Sequence, residues 1–106
     1  MSDQEKRLAL NEVMFREINE RLESQLPADR DNRLSILCEC ADPDCTQRIE
    51  LTSDEYESAR AQSRLFILVP GHEQIEIEDV VSRTDRYEIV RKKGDAGRIA
   101  QQTASN

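Results

Sequence analysis

Residues 34–45 read LSILCECADPDC, and this stretch decides how the middle of the chain folds. In its first half Ile36, Cys38 and Cys40 alternate with other residues, which is typical of a half-buried β-strand. Its second half contains an Asp-Pro-Asp run, and Asp and Pro both favour turns. Residues 46–51 then read as a returning strand. The stretch therefore predicts an antiparallel hairpin with the cysteines gathered near its turn.

The spacing of these cysteines indicates a metal site. Cys38, Cys40 and Cys45 are all the cysteines of the chain. An odd number of thiols cannot all form disulfides, and clustered thiols in a reducing compartment are typical of metal ligands. Structural zinc takes four Cys or His ligands. The single histidine, His72, follows a Pro-Gly pair at the end of another predicted strand, so we predict a Cys3His site with zinc as the cofactor.

Two alternatives remain open for this site at the level of sequence. Asp42, Asp44 or Glu73 could fill the fourth ligand position instead of His72. The three cysteines could also bind nothing, one as an ordinary core residue and two as surface thiols. A zinc ion has an evident structural use, because a chain with two Phe, two Tyr and no Trp buries little apolar area. Zinc binding would then contribute much of the folding free energy.

A catalytic zinc fits the sequence less well. Hydrolytic zinc favours His and carboxylate ligands and keeps an open position for water. Cytidine deaminases do use thiolates, but they place a Glu two residues after a His ligand. Here Glu73 follows His72 directly, and the order of the motifs is reversed. The sequence contains no matched acid, base and nucleophile, so we predict no catalytic residues and no enzymatic activity.

The first 26 residues predict an amphipathic helix. Apolar residues recur at spacings of three, four and seven, with charged residues on the other face. We expect it to dock on its own domain rather than on a partner, because the domain is short of core residues. The expected apolar face comprises Leu8, Met14, Phe15, Ile18, Leu22 and Leu26.

The remaining elements complete an α+β fold. Thr52 and Glu55 match a capping box and predict a second, short helix. A third strand precedes His72, and a C-terminal hairpin ends the ordered part. The expected fold is an N-terminal helix, a small antiparallel sheet with a zinc-bearing hairpin, a second short helix and a C-terminal hairpin. The expected division is a helix over residues 1–26, a zinc-binding domain over 33–92 and a disordered tail over 93–106.

Charge and hydropathy exclude several classes of function. The formal net charge is −7, and an acidic body argues against a nucleic-acid reader. A weaker alternative uses the basic end of the chain, which carries Arg91, Lys92, Lys93 and Arg98. No apolar run approaches the ~20 residues of a membrane span. An acidic N-terminus without an apolar segment also argues against a secretory signal, so we expect a cytoplasmic protein.

The chain resembles a family of small, uncharacterised cytosolic proteins of GC-rich Gram-positive bacteria. The resemblance covers most of residues 11–92 and is carried by a Cys-x-Cys-x4-Cys element and a Pro-Gly-His element. It rests on the segments FREINER (15–21), CECADPDC (38–45), IELT (49–52), EY (55–56) and VPGHE (69–73). It implies that the two elements act as one unit, and it implies no activity.

Three functions follow as hypotheses. The leading one is a non-enzymatic, zinc-stapled module that binds another protein through its acidic body or its first helix. The second is a thiol–zinc redox or metal sensor, in which oxidation of Cys40 or Cys45 ejects the metal. The third is a nucleic-acid-associated factor that uses the basic end.

Overall fold

The computed structural model describes residues 3–25 and 33–102, which form three helices and five strands. In chain order these are α1 (Asp3–Gln25), β1 (Arg33–Leu37), β2 (Arg48–Thr52), α2 (Ser53–Arg60), β3 (Leu65–Leu68), β4 (Glu78–Arg83), β5 (Glu88–Lys92) and α3 (Gly94–Gln102). The predicted α+β class is confirmed. Leu26, the side chain of Leu22 and residues 103–106 lie outside the described part of the chain.

The strands form two separate antiparallel sheets rather than one. β1 pairs with β2, and the second sheet has the order β3-β5-β4. The segment after β1 runs along the free edge of β3, where the backbone N–H of Glu39 donates to the carbonyl of Ile67 (2.9 Å). This contact brings the cysteine-bearing hairpin against the sheet whose first strand leads to His72.

The core lies between the sheets and the helices. Ile36, Ile49 and Leu51 of the hairpin pack in one cluster with Phe66 and Val90 of the larger sheet. α2 covers the junction between β2 and β3, while α1 contacts β1 and α3. The capping box that predicts α2 is present, since Thr52 and Glu55 exchange backbone-to-side-chain hydrogen bonds of 2.8 and 3.1 Å. The capping box confirms the predicted second helix, and the pairing of β1 with β2 and of β4 with β5 confirms the two predicted hairpins.

The buried face of α1 differs from the predicted one. Ile18 and Met14 are exposed (36% and 44%), although Phe15 is buried as expected. The helix instead buries polar side chains that find partners elsewhere in the fold: Glu12, Arg16 and Asn19. The apolar pattern was misleading because these polar groups are satisfied by residues that are remote in sequence.

The expected disordered tail is wrong for most of its length, because Gly94–Gln102 forms α3. Ala96 and Ala100 are fully buried, and Ile99 packs against the core. These three residues have the spacing of one helix face, and small side chains allow α3 to approach α1 closely. The composition of the segment, rich in Gly and Gln, concealed this pattern.

A buried ion cluster joins α1 to the larger sheet. The Lys92 ammonium pairs with the carboxylates of Glu12 and Glu78, and all three side chains are at most 1% exposed. The guanidinium of Arg16 lies 4.6 Å from the centre of the Phe66 ring, with the Lys92 nitrogen 4.9 Å from it. Lys92 is therefore buried and does not belong to the exposed basic end. That surface carries one positive charge fewer than the sequence predicts.

Candidate metal centre

Cys38 and Cys40 lie just beyond the end of β1. The strand stops at Leu37, so the prediction that both cysteines belong to it is wrong by a few residues. Beyond Leu37 the chain bonds to β3 through the amide of Glu39, and the amide of Val69, the residue after β3, donates to the Cys38 sulfur (3.2 Å). Both cysteines are almost fully buried, at 1% and 2% exposure. They enter the centre from the junction between the two sheets.

A tight turn returns Cys45 to the same place. The amide of Cys45 donates to the carbonyl of Asp42 (3.1 Å), and the amide of Asp44 donates to the side-chain oxygen of Asp42 (2.9 Å). An Asp side chain that accepts from the backbone two residues on is a common turn device. The turn expected from the Asp-Pro-Asp run is present, and Cys45 remains half-buried.

His72 reaches the centre through a second turn, after β3. Its amide donates to the carbonyl of Val69 (3.1 Å). Gly71, between them, has φ +92°, which residues with a side chain rarely adopt. The Pro-Gly pair therefore turns the chain sharply and directs the imidazole towards the cysteines.

The four residues meet as the sequence predicts. The three sulfurs and a ring nitrogen of His72 all lie within 4.8 Å of one another. Nδ1 of His72 is 3.6 Å from the Cys38 sulfur and 3.8 Å from the Cys45 sulfur. In a tetrahedral zinc site with bonds of ~2.3 Å to sulfur and ~2.0 Å to nitrogen, ligand atoms lie roughly 3.5–3.8 Å apart. The two distances from His72 to sulfur match this spacing, and the 4.8 Å span of the whole cluster exceeds it by about 1 Å, so metal binding would draw the ligand atoms slightly together.

The three thiols shift one another's pKa values in the absence of a metal ion. A hydrogen bond with Cys38 lowers the pKa of Cys40 to about 5, against the effect of burial. The same hydrogen bond, together with burial, raises the pKa of Cys38. Burial also raises the pKa of Cys45. The protein thus favours one thiolate among three, and a cation would be needed to hold all three deprotonated.

The carboxylates considered as fourth ligands lie elsewhere. Asp42 and Asp44 are exposed, and Asp42 is engaged in the turn described above. Glu73 forms a 3.2 Å ion pair with Arg83 instead of joining the sulfurs. Within residues 3–25 and 33–102, His72 is the fourth member of the cluster.

Sequence reasoning missed the importance of Glu39, which lies between two of the cysteines. The structure buries it completely, in contact with Asn19, Arg60 and the backbone of Ile67. No local signal identifies it, because its partners lie in α1, α2 and β3.

Comparison of the chain with known protein families, with curated proteins and with solved structures finds no match. Of the helices in the described part of the chain, none combines the length and the apolar character needed to cross a membrane. The donor set itself defines the chemistry available. Three sulfurs and one imidazole nitrogen are soft donors that can hold a metal ion in four-coordinate geometry.

Proposed function

We propose that Cys38, Cys40, Cys45 and His72 bind one zinc ion, and that this ion staples a non-enzymatic protein-interaction module. The observation that carries the proposal is the convergence within 4.8 Å of four ligand atoms from two separate segments, residues 38–45 and the turn at His72. A tetrahedral set of sulfur and nitrogen donors favours zinc or an iron–sulfur cluster, and a Cys3His set around a single ion is a common structural zinc site.

The ligand count supports a structural rather than a catalytic ion. Four protein ligands complete the tetrahedron and leave no position for water or substrate. Three thiolates also donate much negative charge, which weakens the ion as a Lewis acid. Two of the ligands, Cys38 and Cys40, are buried, which restricts access to the metal. These features support a structural, non-enzymatic role for the ion.

The outer face of α1 supports an interaction role. Leu10, Met14 and Ile18 are exposed at 42%, 44% and 36%, and their spacing of four puts them in one stripe. Arg7 lies one turn before Leu10, at the N-terminal end of this stripe, and is also exposed. Charge complementarity then favours a partner that presents an apolar strip with a carboxylate near Arg7.

A second copy of the same chain fits this face less well. Antiparallel pairing of two α1 helices about Met14 would bring together two chains that each carry a formal net charge of −7, and like charges repel. A photo-crosslinking amino acid at position 14 should therefore capture a different protein, and Leu10→Glu should abolish capture. The same probe at exposed Glu57 of α2 is the control. Capture of a second copy, or capture that persists with Leu10→Glu, would contradict this assignment of partner and surface.

The zinc itself is tested by elemental analysis of protein purified under reducing conditions. The proposal expects about one zinc per chain. Iron with bound sulfide, or no metal at all, would overturn it. We further propose the cytoplasm as the location, because three free thiols persist as ligands only in a reducing compartment.

One observation favours a redox or metal sensor as the second candidate. Cys45 is half-buried, whereas the other two cysteines are buried, so an oxidant could reach it first. Hydrogen peroxide would oxidise Cys45 and a neighbouring thiolate to a disulfide, with two protons taken up and two water molecules formed, and zinc would leave. Zinc release within seconds in mild peroxide, with the fold retained, would favour the sensor. Slow release accompanied by unfolding would favour the staple.

A further inference from the structure

Glu39 is a buried carboxylate beside the metal centre, and its two oxygens accept three hydrogen bonds. It lies between Cys38 and Cys40 in the chain and is 0% exposed. Its Oε1 accepts hydrogen bonds from the guanidinium of Arg60 and from the amide of Ile67 (3.0 Å for the amide). One side chain thus ties the cysteine segment to α2 and to β3.

Asn19 ties the same segment to α1. Its side-chain nitrogen donates to Oε2 of Glu39 (2.9 Å) and to the carbonyl of Leu37 (2.8 Å). Its side-chain oxygen accepts from the amide of Leu37 (2.8 Å). Asn19 therefore pairs with the last residue of β1 much as a neighbouring strand would, and it is itself 0% exposed.

Resting on the zinc site proposed above, we propose that Glu39 is a positioning residue of the metal centre and that, through Asn19, it couples docking of α1 to metal binding. The carboxylate fixes the backbone between two ligands, so that both sulfurs point to one place. The same carboxylate needs Asn19, and therefore docked α1, to complete its hydrogen bonds.

The energetic basis is the cost of leaving a buried charge without its partners. Removing a hydrogen-bond donor from a buried carboxylate is destabilising, because the oxygen that loses its donor stays desolvated. When α1 is undocked, Glu39 loses the Asn19 donor, and the backbone of Leu37 loses both of its hydrogen bonds to Asn19. The segment that carries Cys38 and Cys40 then keeps its bonds to α2 and β3 but loses those to α1. Coupling between two binding events is reciprocal. If docking of α1 raises the affinity for zinc by a given factor, bound zinc raises the equilibrium constant for docking of α1 by the same factor.

The positioning role is tested with Glu39→Gln. The amide would present a donor to the Asn19 donor and would lose the charge that pairs with Arg60. Outer-shell partners of metal ligands typically change affinity by 10- to 100-fold, so we expect Co²⁺ and Zn²⁺ binding to weaken at least about tenfold. The visible absorption of bound Co²⁺ should also change, which reports altered ligand geometry directly. Exposed Glu50 on β2 supplies the control, Glu50→Gln, which should match the wild type.

The coupling is tested by hydrogen exchange in the full chain with and without Zn²⁺. Zinc should slow exchange of α1 amides in the wild type, and Asn19→Ala should reduce both this protection and the zinc affinity. Protection confined to the cysteine hairpin would overturn the coupling. If Asn19→Ala does not fold, Arg60→Gln replaces it. Arg60 belongs to α2, and its side chain is 13% exposed. Its guanidinium pairs with Glu39 and also lies 4.0 Å from the carboxylate of Glu20 in α1. This variant should weaken zinc binding, and unchanged affinity would count against the proposal.

Failure of this inference is distinguishable from failure of the zinc site. A wild-type protein that binds neither Co²⁺ nor Zn²⁺ removes the site and the inference together. A wild type that binds both ions, with Glu39→Gln equal to it in affinity and absorption, leaves the site intact and removes the positioning role alone.

Discussion

Nδ1 of His72 lies 3.6 Å from the sulfur of Cys38, although 34 positions separate the two residues in the chain. Cys38 follows a strand of the two-stranded sheet, and His72 follows the first strand of the three-stranded sheet. A metal ion held between them would therefore join the two sheets, which no strand-to-strand ladder connects within residues 3–25 and 33–102.

Replacement of His72 by alanine should weaken zinc binding by more than about 100-fold, because a direct ligand contributes more than the outer-shell partners whose loss costs 10–100-fold. Competition with a chromophoric chelator measures the affinity. The matched control is Glu73→Gln, the adjacent residue, whose carboxylate pairs with Arg83 instead. If the two variants bind zinc equally well, His72 is not the fourth ligand.

Removal of zinc with a chelator should unfold the hairpin region broadly. Zinc in small structural sites contributes about 10–16 kcal/mol of apparent binding free energy, which exceeds the net stability of a small core. Far-UV circular dichroism of the metal-free protein should lose β1 and β2, and addition of one equivalent of zinc should restore the spectrum. Retention of the native spectrum without metal would assign the stability to the apolar core alone.

Lys92→Met should destabilise the fold by about 3–5 kcal/mol, because it leaves the buried carboxylates of Glu12 and Glu78 without their cation. The matched control is Lys93→Met, at the adjacent residue. Lys93 pairs with Asp79 at 3.6 Å, but both side chains are exposed, and such pairs contribute about 0–1 kcal/mol. Urea unfolding of both variants measures the difference. Equal midpoints would mean that the buried cluster contributes no more than a surface pair.

The Glu55–Tyr87 hydrogen bond should shape the pH dependence of stability. The Tyr87 hydroxyl donates to Glu55 (2.6 Å), which lowers the pKa of Glu55. Burial and this bond raise the pKa of Tyr87 to about 12 from 10.0. The lowered Glu55 pKa contributes stability that is present above its ordinary value of 4.5 and is lost as the pH falls below it. The raised Tyr87 pKa contributes stability that is present below pH 10.0 and is lost as the pH rises towards 12.

Tyr87→Phe should therefore flatten the alkaline loss of stability between about pH 10 and 12. Thermal unfolding across this range, with Glu57→Gln as an exposed control on the same helix as Glu55, provides the measurement. If the loss of stability between about pH 10 and 12 is the same in Tyr87→Phe as in the wild type, another group causes that loss.

The parts of the fold that sequence predicted are those in which neighbours in the chain decide the structure. The capping box of Thr52 and Glu55 forms within four residues, and the turn at Asp42 forms within three. The cysteine spacing also implied a cluster, since a short loop keeps its ends close. The second sheet, the edge contact with β3 and α3 depend instead on segments that are distant in sequence.

By itself, the sequence determined the α+β class, the cap of α2, the turn at Asp42 and the grouping of the three cysteines, because spacing and local hydrogen bonds act over a few positions. It pointed to His72 as the fourth member because His72 is the single histidine of the chain, whereas the fold alone brings it across 34 positions to Cys38. Only the tertiary structure decided which face of α1 is buried and that Glu39, Asn19 and Lys92 lie inside. Arg16, for example, donates to the carbonyl of Ala100, 84 positions away. A polar side chain is stable in a core only when such partners surround it. Partners that the fold brings together across the whole chain leave no periodic trace in the amino-acid pattern.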